Sequence, residues 1–82
     1  MLSDYIQAAM RHARYDILPE DGTFYGEIPE CPGVWANAVT LEECRRELQE
    51  VLEDWLVVGF RRGHTLPVID GINLNVQDKD VA

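Results

Sequence analysis

Arg14-Tyr15-Asp16-Ile17-Leu18-Pro19-Glu20-Asp21-Gly22-Thr23-Phe24-Tyr25-Gly26-Glu27-Ile28 is the stretch on which the fold turns. Tyr15 and Ile17 alternate with Asp16 and Leu18, and Phe24, Gly26 and Ile28 alternate with Tyr25 and Glu27, a period of two on either side of Asp21-Gly22. That pattern predicts a β-hairpin. Read as a two-residue type I′ loop, Asp21-Gly22 pairs Tyr15 with Ile28, Asp16 with Glu27, Ile17 with Gly26 and Leu18 with Tyr25. One face then holds Tyr15, Ile17, Phe24 and Ile28 and is expected in the core. The other carries Asp16, Leu18, Tyr25 and Glu27.

Downstream, Pro29-Glu30-Cys31-Pro32-Gly33 reads as a turn, because its prolines donate nothing to a ladder and its glycine accepts a positive φ. Val34 to Val39 is a third strand, with Val34, Ala36 and Ala38 expected beneath a helix and Trp35, Asn37 and Val39 on the far face. Thr40-Leu41-Glu42-Glu43 has the form of a capping box and opens a helix. Its apolar stripe is Leu41, Cys44, Leu48, Val51, Leu52, Trp55, Leu56 and Phe60, and it runs to about Arg62, with Gly63 as the C′ residue. Asp70-Gly71 forms a turn, and Ile72, Leu74 and Val76 alternate with Asn73 and Asn75 as a fourth strand over 72–76. Residues 77–82 read as a polar tail. Upstream, Ser3 is expected to cap a short helix over 3–13, whose stripe is Ile6, Ala9, Met10 and Ala13. The whole is one α+β domain over 1–82: a three-stranded antiparallel sheet plus a C-terminal fourth strand, packed on one long helix, with a short N-terminal helix.

A chain of 82 residues buries only about 60–65% of the surface its unfolded form exposes. The core is thin, and pairing with further copies would enlarge it, so a homo-oligomer is expected. Fifteen acidic against seven basic side chains give a formal charge of −8. That balance disfavours direct nucleic-acid binding, which needs a basic stripe, and suits a basic partner. Cys31 and Cys44 stand alone, without a CxxC or a histidine at ligand spacing, as reduced thiols in a cytoplasmic protein do. The N-terminus lacks the build of a signal peptide, and no apolar run approaches the about 20 residues of a membrane helix.

Residues that could carry chemistry are few. Asp16 and Glu27, opposed in the expected register, are the one carboxylate pair, and a two-metal hydrolase needs a third acid that Leu18, Tyr25 and Trp35 cannot supply. His12 and His64 fall near helix C-termini, where an imidazolium gains from the dipole without a catalytic duty. No phosphate loop, nucleophile elbow or HExxH is present. Neither a catalytic centre, a metal nor a cofactor is expected.

Three segments carry a resemblance: Glu20-Asp21-Gly22-Thr23-Phe24-Tyr25-Gly26-Glu27-Ile28-Pro29, then Pro32-Gly33-Val34-Trp35-Ala36, then Thr40-Leu41-Glu42-Glu43-Cys44. In this order and spacing the chain resembles the HicB-like antitoxins over roughly residues 14 to 60. Ala38-Val39 stands where that family often has glycine and a polar residue, and Cys44 where it usually has alanine. The resemblance implies a reduced RNase H-like core without the nuclease's acids, which binds a small basic, HicA-like toxin that cleaves mRNA. The C-terminal DNA-binding module of many members is not expected here. Candidate partner contacts are Leu18, Tyr25 and Trp35, an apolar patch rimmed by Asp16 and Glu27. The alternatives are an orphan scaffold oligomer and a divergent RNase H-like hydrolase using Asp16 and Glu27.

Overall fold

Small side chains at the centre of a sheet let a helix lie close against it, and this chain places Gly26, Ala36 and Ala38 there, all buried. The computed structural model describes residues 1–75. Its elements run α1 (Leu2–Arg11), β1 (Arg14–Ile17), β2 (Phe24–Glu27), β3 (Trp35–Ala38) and α2 (Leu41–Arg62). The strands form one antiparallel sheet in the order β1-β2-β3, and the fold is α+β. Cys44, Leu48, Leu52 and Leu56 bury the inner stripe of α2, which packs on β3 and β2. Helix α1 lies beside α2 and contributes Tyr5, Ala8, Ala9 and Met10 to the same core.

Both ends of α2 follow from local chemistry. Thr40 Oγ1 accepts from the Glu43 N–H at 3.1 Å, Glu42 and Glu43 sit in the first turn, and Arg61 and Arg62 in the last. Gly63 ends the helix at φ 66°, and its N–H and that of His64 bond back to Phe60 and Gly59. Helix α1 differs from expectation: Met1, not Ser3, is its N-cap, and no side chain caps it. Tertiary contact holds it instead, since the buried Tyr5 hydroxyl donates to the Pro67 carbonyl at 2.7 Å.

The hairpin register differs by two residues from the expected one. Arg14 opposes Glu27, Tyr15 opposes Gly26, Asp16 opposes Tyr25 and Ile17 opposes Phe24. A type I′ loop needs positive φ at both central residues, but here Gly22 has it (72°) and Asp21 does not. The Asp21 carboxylate instead accepts from the Thr23 N–H at 3.0 Å and its hydroxyl at 2.7 Å. This side-chain turn moves ladder closure out to Leu18, whose N–H donates to the Thr23 carbonyl at 2.8 Å. A shift of two preserves the faces, so Tyr15, Ile17, Phe24 and Ile28 still share the inner side. Ile17, however, is 63% exposed and not core, because α2 packs on β2 and β3 and the cover of β1 reaches only Tyr15, which is half-buried against the core. Leu41 and Phe60 of the expected α2 stripe are exposed as well.

The fourth strand is absent from the described residues. Asp70 (φ 50°) and Gly71 (φ 78°) supply the two positive φ values of a type I′ turn, bracketed by a single bridge between Ile69 and Ile72. Asn73 to Asn75 then run without a ladder. The Asn75 side chain takes the backbone of Leu66 instead, accepting its N–H at 2.7 Å and donating to its carbonyl at 2.9 Å. Leu66 and Ile69 are thereby fixed in the core. Val76 and the tail lie outside the described residues.

Candidate functional site

The outer face of the sheet, away from α2, gathers the expected contact residues. Strand alternation puts Arg14, Glu27 and Trp35 in one row across it and Asp16, Tyr25 and Asn37 in the next. Trp35 is 54% exposed, Tyr25 and Glu27 are half-buried and Asp16 is exposed. The Tyr25 and Trp35 rings stack, with centroids 6.1 Å apart and planes 23° from parallel. The Tyr25 hydroxyl donates to Glu27 Oε1 at 3.1 Å, and desolvation together with this carboxylate raises the phenol's pKa. Leu18, half-buried, continues the Asp16 side toward the turn. All five expected residues therefore share one surface, and β3 is held to it by Asn37, whose amide donates to Thr23 Oγ1 and the Phe24 carbonyl, each at 2.8 Å. Beside the aromatic pair a shallow hollow of about 320 Å³ is lined by Tyr25, Glu27, Pro29, Pro32 and Trp35.

The register correction changes the chemistry of that face. Asp16 is not opposite Glu27 but opposite Tyr25, and Glu27 stands opposite the cation Arg14. The expected carboxylate pair is no longer directly opposed but diagonal across the two strands, with a tyrosine and an arginine as the direct partners. Among the described residues no group of three or more His, Cys, Asp and Glu is placed to hold a metal ion. Cys31 and Cys44 are both buried free thiols, and burial pushes the Cys31 pKa up to about 11, with the Glu30 charge adding to the shift.

Sequence reasoning missed a second cluster. His12 Nδ1 lies 2.6 Å from Glu30 Oε2 and its Nε2 lies 2.8 Å from Asp70 Oδ1, while Arg11 reaches Asp70 at 3.4 Å. The bonds to Asp70 and then Glu30 raise the His12 pKa, and the bond from His12 lowers both carboxylates. The two carboxylates sit at opposite nitrogens of the ring, so the group bridges three chain segments and does not converge on a common point. Its members are 18 and 58 residues apart along the chain, too far for any spacing rule to find.

Among the described residues no helix is long and apolar enough to cross a membrane. A search of curated proteins finds no match. Among solved structures, the crystal structure of TTHA0281 from Thermus thermophilus is similar, at 42% identity over 93% of this chain and 94% of that one, with a TM-score of 0.83. The family model described as UPF0150-like matches residues 4–67, a span that holds all three strands, all of α2 and α1 but for its first two residues, and the chain belongs to the UPF0150-like family.

Proposed function

We propose that this chain is a non-catalytic, antitoxin-type binding domain of the HicB-like kind, whose outer sheet face covers a small basic toxin that cleaves mRNA. The observation that carries this reading is the uncovered Tyr25–Trp35 stack flanked by Asp16 and Glu27. Amphipathic aromatics are the usual anchors of protein interfaces, and flanking carboxylates attract and orient a cationic partner. The charge of −8 acts in the same direction at longer range. The third acid that a two-metal nuclease would need is missing beside Asp16 and Glu27, since among the described residues no group of three or more His, Cys, Asp and Glu is placed to hold a metal ion, which favours a binding role over hydrolysis.

Co-expression with the product of an adjacent gene encoding a short basic protein tests the proposal. The two proteins should co-purify, and the chain should restore growth arrested by that partner. Trp35→Ala should weaken the complex by about 2 kcal/mol, roughly 30-fold, because a central aromatic anchor is lost. Glu27→Arg should slow association most at low salt. Failure of the wild-type chain to bind or to rescue growth overturns the reading, and so does a complex indifferent to Trp35→Ala.

A further inference from the structure

A second apolar surface lies on the helices. Leu2 and Ile6 of α1 and Leu56, Val57 and Phe60 of α2, with Glu53 at the edge, line a groove of about 350 Å³. Leu2, Val57 and Phe60 are each about half exposed, at 48%, 49% and 47%. Leu2, Val57 and Phe60 lie outside the core and extend it, past the buried Leu56 and the partly buried Ile6, into an exposed apolar patch.

The charges around this patch have an order. After Arg45 and Arg46 near the start of α2, the segment 47–54 carries only acids, Glu47, Glu50, Glu53 and Asp54, and beyond Val57 the charges are Arg61 and Arg62. A two-fold axis through Val57 that sets two copies of α2 antiparallel brings the acidic Glu53–Asp54 turn of one helix against the basic end of the other. Asp54 and Arg61 are seven residues apart and so lie on the same side of the helix, as do Glu53 and Phe60. The operation therefore brings the partner's Arg61 beside Asp54, with Glu53 in reach, and the partner's Phe60 onto the groove next to Glu53, Leu2 and Ile6. Each contact occurs twice, as an isologous interface requires. In a parallel arrangement acid would face acid.

From this self-complementarity we infer that the α1–α2 groove is the homodimer surface of the chain, an antiparallel α2–α2 contact centred on Val57. The occupant is a second copy: the charge order that matches the patch is its own reverse. The surface is separate from the Tyr25–Trp35 face on the sheet, so dimerisation leaves that face open, and the inference stands or falls apart from the toxin reading.

Sedimentation equilibrium of the full chain tests it. The wild type should be dimeric at micromolar concentration. Val57→Glu places two like charges on the axis and should give a monomer; Val57 is half exposed, so the far-UV circular dichroism spectrum should stay that of the wild type, while the melt loses only the concentration-dependent part that dimerisation adds. Asp54→Arg and Arg61→Asp should each weaken the dimer by about tenfold, and the two together in one chain should restore it, because the pair is re-formed with its signs exchanged. A monomeric wild type, a dimer indifferent to Val57→Glu, or single reversals that the double variant does not repair would each overturn the inference.

Discussion

Gly26 sits where three side chains would otherwise compete for one space. A Cβ built there would lie 2.9 Å from two atoms of the Tyr15 ring, its cross-strand partner, and 3.1 Å from Cys44 Sγ on α2. The Cys44 thiol is itself fixed, completely buried and directed at the Ala36 carbonyl at 3.6 Å. Gly26→Ala should therefore destabilise the fold by about 1–3 kcal/mol through overpacking, although alanine is the better strand residue of the two. Denaturant unfolding measures this directly; an unchanged midpoint would show that Tyr15 moves aside freely. A glycine inside an alternating strand already signals such close approach in the sequence. What it does not say is which neighbour approaches, because Tyr15 becomes that neighbour only in the register the turn selects.

At the scale of elements, α2 is the most self-evident part of the chain. Thr40→Ala removes the acceptor for the Glu43 N–H and should lower stability by about 1 kcal/mol, while Thr40→Ser should be nearly neutral; thermal melts of both distinguish a lost cap from a lost methyl group. The helix was legible because its start, apolar period and C′ glycine are all local. The hairpin's existence and the two faces of the sheet were legible for the same reason, and with them the shared surface of Asp16, Leu18, Tyr25, Glu27 and Trp35. Its register was not, since Asp21 and Asp70 each precede a glycine and only the second adopts the positive φ of a type I′ turn. Thr23, which binds the Asp21 carboxylate, decides the first case. Among the described residues the expected fourth strand gives way for a long-range reason. The alternation of Ile72, Leu74 and Val76 has the strand period, but the Asn75 side chain pairs with the backbone of Leu66 and takes the place of a ladder. Ile17 shows the remaining limit: alternation assigns a residue to a face, and only the placement of α2 decides whether that face is covered.

Across the whole molecule, the segments that share no regular ladder are tied at one imidazole. His12 follows α1, Glu30 lies in the turn between β2 and β3, and Asp70 lies in the C-terminal turn whose neighbour Ile69 is core. Two further cations act on the same carboxylates: Arg11 bonds Asp70, and the charge of Arg14 helps lower the Glu30 pKa. Because folding raises the His12 pKa, its stabilisation is complete below the unfolded value of 6.5 and is lost as pH rises through the folded one. Folding lowers the pKa of Glu30 and Asp70, so their stabilisation is complete above their ordinary values of 4.5 and 3.8 and is lost as pH falls through the folded ones. The clasp is therefore fully formed between about pH 4.5 and 6.5. His12→Gln can keep hydrogen bonds to one carboxylate but carries no charge, so its melting temperature should fall below wild type most in that window. The gap should narrow as the wild-type imidazole deprotonates at higher pH, and narrow again in acid as both carboxylates protonate. A gap that stays constant from pH 5 to 9 would mean that His12 contributes by packing alone, and that the C-terminal turn is held by Tyr5 and Pro67 without help from the charge cluster.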